Sequence, residues 1–115
     1  MTRQLADELS SKPPKVGRGR LAQDIAAAVG GVPGAALTAG PGIPIGTQFR
    51  GGTIAGVGFS DGSVFIQIVV TDFAFLRVVE NVRKAVRDIL QSNGVEWMVH
   101  VHIADLDLDI GLAIR

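Results

Sequence analysis

Cysteine is absent from the 115 residues. That excludes disulfides, thiolate nucleophiles and thiolate metal sites together, and it fits a reducing compartment. Net charge is also absent: eleven Lys and Arg balance eleven Asp and Glu, so nothing global favours nucleic acid or an anionic lipid surface. No apolar run approaches the roughly 18 residues of a spanning helix, and Met1-Thr2-Arg3-Gln4 opens the chain without the apolar core of a signal peptide. No nucleophile–base or carboxylate pair has a spacing suited to catalysis. The chain therefore reads as a soluble, bacterial-type cytoplasmic protein that is not an enzyme, with no cofactor, no nucleic-acid partner and no direct membrane span.

The residues that are present describe one domain with an ordinary core. A hydrophobic fraction of 47% against 19% charge excludes a wholly disordered chain. Charge is divided unevenly along it. Residues 1–20 carry five basic side chains against Asp7 and Glu8, whereas residues 91–115 carry four acids against Arg115. With Ser10-Ser11-Lys12-Pro13-Pro14-Lys15 inside it, the segment 1–20 is expected to be a basic, flexible tail, and 21–115 a single α/β domain.

Residues 53–105 read strand, turn, strand, helix, strand. Thr53–Phe59 and Ser63–Thr71 are β-branched and aromatic, with the hairpin signal Ser60-Asp61-Gly62 between them. Asp72 suits a helix N-cap and Asn93-Gly94 a stop. Between those ends Phe75, Val78, Val79, Val82, Val86, Ile89 and Leu90 form one stripe, with Arg77, Glu80, Arg83, Lys84, Arg87 and Asp88 opposite. Val95–Ala104 is the third strand. Upstream, Leu21, Ile25 and Val29 mark a short helix stopped by Gly30-Gly31. Residues 30–58 hold ten of the fifteen glycines, so Gly34–Gly52 is expected to be a long loop, a kind of segment usually functional or mobile.

Strand parity then assigns faces. Val64, Ile66, Ile68 and Val70 belong with Val95, Trp97, Val99, Val101 and Ile103, beneath the long helix. The opposite face carries Phe65, Gln67, Val69 and Thr71 beside Glu96, Met98, His100 and His102. A half-apolar face of this kind calls for a cover, either the first helix or another subunit. The candidate interaction surface is Phe65, Val69, Met98, His100 and His102.

Four motifs have chemical look-alikes. Gly58-Phe59-Ser60-Asp61-Gly62 spells a nucleophile elbow, but a strand follows where the elbow needs a helix, so Ser60 belongs to a turn. His100 and His102 share a strand face at a spacing suited to Zn²⁺, with only Glu96 as a local third ligand. A solvated or interfacial histidine pair, sensitive to pH, is the simpler reading. Asp105-Leu106-Asp107-Leu108-Asp109-Ile110-Gly111 resembles a calcium loop with its glycine one position late, and fits an amphipathic strand better. Gly31-Val32-Pro33-Gly34 is a GxxG without the basic residues that phosphate contact uses.

Several of these segments together resemble the alkaline shock protein family of bacterial envelope stress response proteins. Leu21–Val29 with Val32-Pro33-Gly34 is similar to that family's first helix and closing turn. The hairpin ending Val64–Val70 resembles its strand pair. Val78–Val86 and Val99-His100-Val101-His102-Ile103 resemble its long helix and final strand. Phe75-Leu76 departs from the Ile-Pro that often opens the long helix there. The resemblance implies a non-enzymatic cytoplasmic protein that self-associates, as a homo-oligomer, and in some relatives gathers at the membrane through a separate anchor protein. It carries over no catalytic residues. Iron–sulfur assembly adaptors share a similar element order, but this chain lacks their reactive cysteine.

The expected architecture is α+β: a two-layer sandwich, helix–strand–strand–helix–strand, with a small three-stranded sheet. The expected function is stress-associated structural self-association. The alternative of another class is a small-ligand or metal-binding module that uses His100 and His102 under the 34–52 loop.

Overall fold

The computed structural model describes residues 15–38, 45–49 and 51–107. Two helices, α1 (Arg18–Gly30) and α2 (Phe75–Ser92), accompany six strands: β1 (Ala35–Leu37), β2 (Gly46–Phe49), β3 (Gly52–Ala55), β4 (Val57–Ser60), β5 (Ser63–Val70) and β6 (Met98–Leu106). The fold is α+β. Most of the basic tail expected over 1–20 lies outside the described residues, and its last three residues are already the first turn of α1.

β5 is the axis of the sheet because its sequence is apolar on both faces. One edge is shared: β4 pairs antiparallel with its first half, Val57 opposite Ile66 and Phe59 opposite Val64, and β1 with its second half, Ala35 opposite Val70. β6 runs parallel along the other edge, from Ser63 opposite Met98 to Val70 opposite Leu106. A parallel neighbour needs a long crossover, and α2 provides it. Periodicity does not decide whether this last strand lies beside β4 or β5, since either neighbour keeps the same parity; the structure places it beside β5.

The sheet has four strands, not three, and β2 and β3 form a separate antiparallel ribbon. The loop expected over Gly34–Gly52 thus contains two strands. They are three and four residues long, too short to show alternation among so many glycines. The single strand expected over Thr53–Phe59 divides at Gly56. Its N–H donates to Ile45 O at 2.7 Å while its carbonyl accepts from Gln67 N at 2.8 Å. The main chain turns there with φ +82°, a conformation that side chains other than hydrogen resist.

Both helices lie on one face. Leu21, Ala22, Ile25 and Val29 of α1 and Val78, Val82, Val86 and Leu90 of α2 share one core with Val57, Val64, Ile66, Ile68 and Val70. The helices run antiparallel: Lys15 N bonds Asn93 O at the start of α1, and Thr71 N bonds Gly34 O beyond its end.

The caps differ in detail from the pattern. At the C-terminus Asn93 Nδ2 donates to Ile89 O at 2.9 Å and Gly94 takes φ +74°, the expected stop. At the N-terminus the cap position falls on Ala74, not Asp72. Asp72 acts two residues earlier in an Asx turn, its Oδ1 accepting from Ala74 N at 2.8 Å. Asp72→Ala is therefore expected to cost about 0.5–1 kcal/mol, seen as a lower urea midpoint with an unchanged slope.

Candidate functional site

The sheet face turned away from the helices is built by register. Phe65 stands opposite Gly58 on β4 and His100 on β6; Gln67 is opposite His102, Val69 opposite Ala36, and Ser63 opposite Met98. Side chains of paired residues share a face, so Phe65, Val69, Met98, His100 and His102 stand together as the alternation implied. The Phe65 ring stacks on the His100 imidazole, centroids 4.8 Å apart and planes 12° from parallel. This offset contact fixes two rings at the middle of the face.

The first helix does not cover this surface, because its apolar stripe is spent on the other side of the sheet. At the β4 margin Ile45 comes close: a Cβ on Gly58 would lie 3.0 Å from Ile45 Cγ2. Gln67 is buried, its amide donating to Thr38 O at 3.3 Å. Toward β6 the face opens. Phe65 and Val69 are half-buried, His100 and His102 are exposed, and Met98 is 63% exposed. Among the described residues no Lys, Arg, Asp or Glu stands on this face between Met98 and His102. Asp105 joins at the far end, where the register steps from Ile68–Ile103 to Val69–Asp105 and leaves Ala104 as a bulged residue.

The two imidazoles make no hydrogen bond or ion pair among the described residues. Glu96, their one local carboxylate, precedes β6 and lines a cleft with Arg87 of α2. No group of three His, Cys, Asp or Glu is placed to hold a metal among the described residues. Two imidazoles alone fall short of the three protein ligands of a zinc site. Purified protein is expected to carry no zinc by elemental analysis; stoichiometric metal lost in His100→Ala would support the metal-binding alternative.

The other motifs also take their places. Ser60 pairs with Ser63 across the hairpin turn. Gly31–Gly34 joins a helix to a strand rather than two helices. The acidic stretch from Asp105 enters the end of β6, and its residues 108–111 lie outside the described residues. Trp97 is half-buried edge-on to Phe59, centroids 5.9 Å apart.

One surface escaped the pattern reading. Phe75 falls on the helical stripe by periodicity but is 39% exposed, beside Leu76 at 73% and Phe73 at 64%. These side chains precede the first turn of α2 that reaches the core, at Val78, so periodicity alone overcounted the buried stripe. Among the described residues no helix is long and apolar enough to cross a membrane. Comparison with protein-family models, with characterised proteins and with solved structures finds no match to this chain.

Proposed function

We propose that this protein is a non-enzymatic structural component that works by self-association through the open sheet face, in the manner the alkaline shock resemblance implies. The observation that carries the reading is Phe65, Val69 and Met98 on a face whose one acidic side chain, Asp105, stands at its far end, and against which no helix packs among the described residues. The stretch around Phe65 and Met98, clear of Asp105, meets its own copy without repulsion, whereas a strongly charged partner finds little there to pair with. The envelope and stress connection, and any gathering at a membrane through an anchor protein, rest on the resemblance.

Size sets the expected strength. Eight residues of β5 at about 3.3 Å each, across three strand widths of about 4.8 Å, give a face of about 400 Å² in projection. That is half of the roughly 800 Å² per partner in a stable complex. The contact should be weak, reversible and in the micromolar range. Sedimentation velocity from about 1 to about 100 µM is expected to show the weight-average mass rising with concentration. A strict monomer over that range removes the proposal.

A further inference from the structure

The cleft that Glu96 and Arg87 line is on the helix side of the molecule, between the last turns of α2 and the residues that lead into β6. It is a cleft of about 170 Å³ lined by Arg87, Leu90, Gln91, Val95, Glu96 and Trp97. Its apolar wall is firm: Leu90 is 1% and Val95 2% exposed, and the Trp97 ring is held edge-on by Phe59. Its polar wall is unusual. Arg87 and Glu96 carry opposite charges into the same small space, yet they form no ion pair with each other or with any described residue. The indole Nε1 of Trp97 is buried without an acceptor among the described residues, so the open polar groups of the cleft are those of Arg87, Gln91 and Glu96.

The geometry points to a binding site for a small zwitterion in this cleft, an α-amino acid with an apolar side chain. The carboxylate pairs with the Arg87 guanidinium, whose fork of N–H donors matches two oxygens. The ammonium pairs with Glu96, and the side chain lies against Leu90, Val95 and Trp97. Pockets for drug-sized ligands run to roughly 300–1,000 Å³, so a cleft this small suits a single amino acid. Neither charge alone explains the pairing: a simple anion would face Glu96, and a simple cation would face Arg87. The site shares no residue with the open sheet face, so it stands or falls independently of self-association.

Trp97 is the chain's one tryptophan and tyrosine is absent, so indole emission reports on this cleft. Titration of the full chain with L-leucine is expected to change that emission saturably, with a Kd near 1 mM, as befits a ligand of few atoms. Leucinamide, without a carboxylate, and N-acetyl-L-leucine, without an ammonium, should each bind at least about fivefold more weakly. Arg87→Ala and Glu96→Ala should show the same loss for L-leucine. Both side chains are exposed, and far-ultraviolet circular dichroism checks that each variant is folded. His102→Ala, on the other face, should bind as the parent does. Emission unchanged up to about 50 mM L-leucine, equal binding of the three ligands, or undiminished binding by folded Arg87→Ala and Glu96→Ala would each overturn the assignment.

Discussion

Replacing Gly56 with alanine is expected to destabilise the fold by about 3–4 kcal/mol, near the upper end of single-residue effects. A Cβ there would sit 2.9 Å from Gln67 O, 3.0 Å from Thr38 N and 3.0 Å from Thr38 O. All three are main-chain atoms, so no side chain can swing aside. Two of them, Thr38 N and Gln67 O, bond each other at 3.0 Å just past the end of β1. The φ of +82° adds about 1–2 kcal/mol for any L side chain. For a chain of this size the thermal midpoint should fall by about 10–20 °C. Gly30→Ala is the matched control. That glycine ends α1 with nothing within 4 Å of the added carbon, so the change should be neutral or stabilising by a few tenths of a kcal/mol. Equal midpoints for the two variants would mean that the Gly56 junction is not what divides the strand.

Phe65→Glu is expected to abolish association at micromolar concentration while leaving the fold intact. Phe65 stands on the open face, half-buried and stacked on His100, so its loss removes about 1–1.5 kcal/mol of local contact. Across an interface between copies the same change puts a carboxylate into an apolar contact, with a second one facing it in a symmetric pair. The apparent dissociation constant should rise at least about 30-fold, equivalent to about 2 kcal/mol. Leu76→Glu is the comparison, an exposed apolar residue at 73% on the other layer. It should associate like the parent. If Leu76→Glu dissociates the assembly and Phe65→Glu does not, the exposed start of α2 is the contact and the sheet face is not.

Much of this fold was legible because its main signals are periodic. The 3.6-residue stripe of α2 named Val78, Val82, Val86 and Leu90, all buried, and the alternation of β5 and β6 named both faces. What stayed hidden has local causes. β1 and β2 are shorter than any readable period, and Gly56 breaks a run that looked continuous. The alternation predicts β6 from Val95, three residues before its first paired residue, Met98, because Val95 and Trp97 keep the parity of the strand while the chain has not yet paired. The open face was legible residue by residue, but that α1 leaves it uncovered depended on where α1 packs. The cleft at Trp97 had no sequence signature. Arg87 and Glu96 lie nine positions apart and meet only because Asn93-Gly94 turns the chain back at the end of α2.

Hydroxyl-radical labelling of the intact protein, quantified by peptide mass, tests the use of the open face at single-residue level. Met98 is 63% exposed on that face, and Phe73 is 64% exposed at the start of α2, so an isolated copy offers both to the reagent. Between about 1 and about 100 µM, Met98 labelling is expected to fall severalfold while Phe73 labelling holds constant. Met98 labelled to the same extent at every concentration, in samples whose mass does or does not grow, would contradict association through this surface.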